Sequence, residues 1–225
     1  MSDVLVVDIE TIPQQTPLSL KQKELYKKLM YSHIKRLDKT TLTFSEIKEI
    51  RRLIMSTNAY LCEIIVIGLF RNRDGQTGSQ SLIGLEQNIL EEFWKIVSKF
   101  SGQLVTFNGL EFDIPIIIKR SMKHRIIPTN NNILDLKRYS KYPHFDVKLI
   151  IGNWDKYANG NLDFLCDFLN IESPKEGKIK ASGVEQAFLN GQIKDIAEYC
   201  ERDVISTYNL YMICKDYVFQ PSFRN

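Results

Sequence analysis

Val4-Leu5-Val6-Val7-Asp8-Ile9-Glu10-Thr11 sets four apolar residues, three of them β-branched, directly before two carboxylates one residue apart. A run this short, closed by Ile12-Pro13, reads as a buried strand over residues 3 to 9. Alternate residues of a strand face one side, so Asp8 and Glu10 project together from a segment whose neighbours avoid water. Charged groups are seldom buried unless paired or bound to metal. The two carboxylates therefore either hold a cation or end the strand facing solvent. About one D-x-E triplet is expected by chance at this length and composition, so the signal lies in the setting.

Outward from this strand, a helix is expected over 19–38, where Leu25, Tyr26, Leu29, Met30, Ile34 and Leu37 recur at three- and four-residue steps. A second begins at Thr43, which has capping-box spacing to Glu46, and runs through Ile47, Ile50 and Ile54. Strand character at 61–70, a turn at Asp74-Gly75 and Gly78, and a short strand at 81–83 predict a hairpin. A helix over 85–100 turns Leu90, Phe93, Trp94 and Val97 inward. Strand 103–107 then enters the Asn108-Gly109 turn, and Pro115 suits the first turn of a helix through Lys123. Strand, turn and helix in this order are those of a parallel crossover unit. Three more helices are expected at 162–169, at 184–189 after a Ser182-to-Glu185 capping box, and at 193–218.

With 225 residues and 44% hydrophobic content, the chain reads as one domain over 1–225. It has no apolar run of the roughly 18 residues that a membrane span needs, and no basic secretory start, which points to the cytoplasm. Cys62, Cys166, Cys200 and Cys214 stand apart and read as reduced core residues. His33, His124 and His144 lack ligand spacing and read as surface or packing residues. Charge is uneven: between residues 14 and 57 ten bases stand against four acids, a net +6, which leaves −3 for the rest. This basic helical insertion is either a nucleic-acid clamp, using Lys27, Lys28, Arg51 and Arg52, or a solvated hairpin.

Two further groups of polar residues matter. In Phe107-Asn108-Gly109-Leu110-Glu111-Phe112-Asp113, Asp113 has a simple alternative as a helix cap and Asn108-Gly109 as a tight turn. Tyr199 and Asp203, one helical turn apart, share a face with Ile196 and Thr207, which looks inward. Taken in order, the three groups resemble the motifs of the DEDD superfamily of 3′-5′ exonucleases, in its tyrosine branch. VVDIET matches the first, FNGLEFDIP the second and YCERD the third; Glu198 stands where the other branch has histidine. Phe145-Asp146-Val147, the 162–169 helix, Gly191-Gln192-Ile193 and residues 196–204 are similar to predicted exonucleases related to the proofreading domain of family B DNA polymerases. The likeness is loosest at 179–183, which is less acidic than the family pattern.

The resemblance implies an α/β, RNase H-like fold: a mixed five-stranded sheet flanked by helices, with the first strand central. It implies that Asp8, Glu10, Asp113 and Asp203 converge and hold two divalent cations, Mg²⁺ or Mn²⁺, about 3.5 to 4 Å apart. Asp8 would bridge the ions, Glu10 and Asp203 would complete one site, and Asp113 would support the other. Tyr199 would orient the attacking water, its ordinary pKa of roughly 10 making it a poor base. Asn108, Thr11 and Phe112 would contact substrate, a single-stranded nucleic acid with a free 3′ end, DNA favoured over RNA. Nothing in the carboxylates reads a 2′-hydroxyl, so a 3′-5′ exoribonuclease is the alternative, and a catalytically idle nucleic-acid-binding module a third. Asp146 either braces the site or caps the next turn. Lys175, Lys178 and Lys180 either touch phosphates or form an ordinary basic loop.

Overall fold

The structure, a computed structural model, describes residues 3–37, 41–155, 160–171 and 179–218. Five strands, β1 (Asp3–Pro13), β2 (Cys62–Arg73), β3 (Gln76–Ile83), β4 (Gln103–Thr106) and β5 (His144–Asp146), lie in the order β3-β2-β1-β4-β5. β1 is antiparallel to β2 and parallel to β4; β2 and β3 form an antiparallel hairpin, and β4 pairs parallel to β5. The sheet is therefore mixed and five-stranded, with β1 in its middle, as the resemblance implies.

The period-two pattern of β1 assigns its two faces. Leu5, Val7 and Ile9 pack with Ile89, Phe93 and Trp94 of α3 (Glu86–Val97) and Ile114 and Ile117 of α4 (Asp113–His124). Val4 and Val6 pack on the other face with Val204, Leu210 and Tyr211 of α9 (Ile193–Val218). Asp8 and Glu10 continue the even series, and so they turn toward α9.

Several boundaries differ from the sequence reading. β1 does not stop at Ile12-Pro13: beyond an irregularity at Glu10/Thr11 it keeps pairing with β2 through Pro13, which is tolerated because the proline ends the strand. Asp74 and Gly75 both have positive φ, the backbone of a tight two-residue hairpin turn, so β3 starts at once and Gly78 lies inside it. No capping box forms before α8 (Val184–Leu189): Ala181–Gly183 make a 3-10 turn and Gly183 takes the cap position without a side-chain bond. α5 (Asn131–Leu134), β5 and α6 (Val147–Ile151) are too short to show periodicity in sequence.

α1 (Leu20–Leu37) and α2 (Phe44–Ser56) lie as expected, and α2 starts at the Thr43–Glu46 capping box. Leu25, Tyr26, Leu29, Met30 and Ile34 meet Ile50, Ile54 and Met55 in a small core of their own. α7 (Leu162–Phe168) adds Leu162 and Leu165 to the α9 face. The four cysteines are free and buried. Among the described residues no helix is long and apolar enough to cross a membrane. Asp38, the expected end of the first helix, and Lys175 and Lys178 lie outside the described residues.

Candidate active site

Three elements bring four carboxylates to one place. β1 supplies Asp8 and Glu10. Its ladder to β4 ends at Val6, and three residues on the Ile9 N–H donates to Asp113 Oδ1 at 3.0 Å. Asp113 is thus the first residue of α4 with its side chain turned to β1, and the cap reading is set aside. α9 supplies Asp203, with Tyr199 one helical turn before it on the same face.

α9 can come this close because the residue opposite Asp8 on β2 is Gly68. A Cβ there would lie 2.6 Å from Cys200 Sγ and 3.2 Å from the Cys200 carbonyl oxygen. The Cys200 thiol donates to Asp8 Oδ2 at 3.3 Å, and Asp8, Glu10 and Cys200 each offer an atom within 4.8 Å of the others. The sequence reading placed Cys200 with the core cysteines. Its position beside Tyr199 and three residues before Asp203 was the signal that it faces β1.

The turn before Asp113 is held from behind. Asp146 Oδ1 accepts from the Asn108 N–H at 3.0 Å and Asp146 Oδ2 from the Leu110 N–H at 2.9 Å. Asp146 Oδ1 also accepts from the Leu149 N–H at 3.1 Å, so Asp146 both braces the turn and caps α6. Asn108 takes the left-handed conformation, φ 69°. Gly109 has no room for a Cβ, which would fall 2.4 Å from that of Thr106. His144 is buried, its Nε2 2.7 Å from Thr106 Oγ1, and burial lowers its pKa to about 3, so it stays neutral.

Proton affinities follow from crowding. Burial pushes Asp8 well above the carboxylate range, and the charges of Asp113, Asp203 and Glu10 push it further. Burial, Asp203 and Asp113 do the same to Glu10. Burial raises Asp113 to about 7 against the pull of the Ile9 N–H, and Asp203 to about 7 against that of Tyr199. Asp203 Oδ1 is buried without a hydrogen-bond partner among the described residues. Four carboxylates, one of them with an orphaned oxygen, form an oxygen-rich donor set that fits hard divalent cations such as Mg²⁺ or Mn²⁺. Burial and the surrounding carboxylates push the Tyr199 phenol far up, and the Cys200 thiol likewise, so neither ionises near neutral pH.

Thr11 is buried and its hydroxyl donates to the Ser56 carbonyl at 2.7 Å, tying α2 to β1. Phe112 is half-buried against the α3 and α4 core. In the basic segment, Arg51 pairs with Glu185 at 3.3 Å and Arg52 with Glu49. Lys180 is exposed.

Comparison with known proteins gives a consistent picture. Residues 57–220 match a family described as predicted 3′-5′ exonucleases related to the exonuclease domain of PolB; Asp8 and Glu10 lie before the matched range and α1 and α2 outside it. The chain is 26% identical to an uncharacterized protein of Methanocaldococcus jannaschii over 171 residues, covering 68% of this chain and 86% of that one. Its fold is similar to that of a family B DNA polymerase from Pyrobaculum calidifontis, with TM-score 0.61 and 14% identity, over 95% of this chain. The chain spans only 24% of that polymerase.

Proposed function

Because the chain belongs to the family of predicted 3′-5′ exonucleases related to the exonuclease domain of PolB, we propose that it is a divalent-metal-dependent exonuclease that hydrolyses the last phosphodiester at the 3′ end of single-stranded nucleic acid, DNA in preference to RNA. The observation that supports this most is the meeting of Asp8, Glu10, Asp113 and Asp203 from β1, α4 and α9, with Asp203 Oδ1 buried and unpartnered among the described residues. In this reading the chain acts as one domain over 1–225, with α1 and α2 as a basic insertion at about 14–57.

Two Mg²⁺ or Mn²⁺ ions held by these carboxylates would supply Lewis-acid stabilisation of the phosphoryl oxygens and an attacking water acidic enough to ionise near neutral pH. The remaining tasks belong to the chain. Asp8, which feels the charges of all three other carboxylates, would serve both cations. Glu10 and Asp203 would hold one cation, and Asp113, anchored by the Ile9 N–H, would help to hold the other. Tyr199 remains a protonated phenol and orients the water as a hydrogen-bond partner, leaving deprotonation to other means. Asn108, presented by a turn fixed on Asp146, meets the terminal nucleotide.

The test is a titration of Mg²⁺ and Mn²⁺ on matched DNA and RNA oligonucleotides labelled at the 5′ end, with Asp203→Ala as control. Metal-dependent shortening from the 3′ end, faster on DNA and absent in the variant, is the expected result. Faster shortening of RNA would make the protein an exoribonuclease. Bound metal without cleavage of either strand would make it a binding module.

A further inference from the structure

Beside the turn that carries Asn108 lies a surface that the catalytic carboxylates do not use. The 135–143 connection from α5 to β5 holds Asp135 and then three bases and two tyrosines in Lys137-Arg138-Tyr139-Ser140-Lys141-Tyr142, of which Lys141 donates to the Val218 carbonyl and Tyr142 to that of Ser101. Tyr139 is 77% exposed and its ring sits 5.2 Å, centroid to centroid, from that of Trp154 at an angle of 49°. Trp154 follows α6, which Asp146 caps, and belongs to the same packed cluster as Phe107, the residue before Asn108. Arg138 pairs with Glu111, which lies inside the turn between Asn108 and Asp113. The loop is therefore tied to the turn by Arg138 and shares a packed cluster with it through Trp154.

A packing role does not account for this loop. Tyr139, Asn153 and Trp154 all hold positive φ, at 58°, 51° and 64°, an unfavourable backbone for non-glycine residues. The result leaves the Tyr139 ring largely in water. A flat aromatic face beside exposed bases is what single-stranded nucleic acid binds: rings stack on bases and cations follow the phosphates.

We infer that Tyr139 and Trp154, with Lys137 and Arg138, form a stacking platform for the nucleotides on the 5′ side of the cleaved one, so that the strand leaves the carboxylates over this loop. The direction of the strand rests on the exonuclease reading; the platform itself rests on the loop. It makes Tyr139 a residue that grips the strand and takes no part in bond cleavage.

The experiment follows tryptophan emission and fluorescence anisotropy as a 5′-labelled oligothymidylate of about twelve nucleotides is added in Ca²⁺ buffer. The protein has two tryptophans and Trp94 is fully buried, so quenching reports on Trp154. Quenching in the wild type is expected, with affinity about tenfold weaker in Tyr139→Ala and nearly retained in Tyr139→Phe. Lys137→Glu should weaken binding and reduce its salt dependence. Hydrolysis of the p-nitrophenyl ester of thymidine 5′-monophosphate, too short to reach the loop, should be equal in the wild type and Tyr139→Ala. No quenching in the wild type, or equal affinity in Tyr139→Ala, overturns the platform even if the ester is hydrolysed. Quenching that depends on Tyr139 without ester hydrolysis upholds the platform and removes the exonuclease reading.

Discussion

Asp113 and Asp203 link the chemistry to stability. Each has its ionisation moved by burial from an ordinary 3.8 to about 7. Below pH 3.8 both groups are protonated folded or unfolded, and the shift has no effect. As pH rises the unfolded chain ionises first, and above pH 7 the metal-free fold bears the whole penalty. Thermal unfolding in EDTA should therefore show a melting temperature that falls by several degrees between about pH 5 and pH 8. Mn²⁺ should restore it at pH 8 and do little at pH 5. Asp203→Asn should flatten this profile, raise the metal-free melting temperature at pH 8 and abolish hydrolysis. A variant that keeps full activity would remove Asp203 from the mechanism. Glu86 works in the opposite sense: burial pushes it up, but Arg120, the Ile64 N–H and His124 outweigh this and hold it below 4.5. Its contribution is present above pH 4.5 and lost as pH falls below it, so the metal-free protein should be most stable near pH 4.5 and lose stability on either side.

At the scale of elements, the site depends on how closely α9 approaches β1 and β2, and Gly68 sets that distance. Gly68→Ala should push α9 outward, lowering stability by about 1–3 kcal/mol and hydrolysis by roughly tenfold or more. Adding Cys200→Ala removes the sulfur that the new methyl would strike, so the double variant should recover part of both losses. Strictly additive effects would show that α9 is seated by something else. This contact also marks the limit of what could be read from sequence. Period two was enough to put Asp8 and Glu10 on one face, and the α9 range follows from its 3.6-residue apolar pattern. The helical spacing of Cys200 to Asp203 gives its face, but its contact with Asp8 was not legible, because only the register of β2 against α9 shows the gap left by Gly68. β5 escaped notice since His144-Phe145-Asp146 is three residues long. Asp146 remained ambiguous because its two partners at the Asn108 turn lie 36 and 38 residues away. The Ser182–Glu185 box matched in spacing alone, which does not stop Ala181–Gly183 from closing a 3-10 turn.

Across the whole molecule, one buried ion pair and one uneven charge distribution do different work. Arg120 on α4, 1% exposed, donates to Glu86 of α3 at 2.7 Å, and Glu86 accepts from the Ile64 N–H of β2. Arg120→Met leaves Glu86 buried without its main counter-charge and should cost about 3–5 kcal/mol in urea unfolding; a loss under 1 kcal/mol would mean that the helices are held to the sheet by apolar packing alone. The surplus positive charge of residues 14–57 is less available than its count suggests, because Arg51 and Arg52 already face Glu185 and Glu49. On single strands each phosphate contact adds roughly 0.7 to the slope of log affinity against log salt. Neutralising Lys27, Lys28, Arg51 and Arg52 together should thus change that slope by no more than about 1.4, the share of the two lysines. A change near 2.8 would show that both arginines leave their carboxylates for phosphates and that α1 and α2 close over the strand as a clamp. A change near zero would leave α1 and α2 as a solvated hairpin packed against β1, with the strand gripped at the loop around Tyr139.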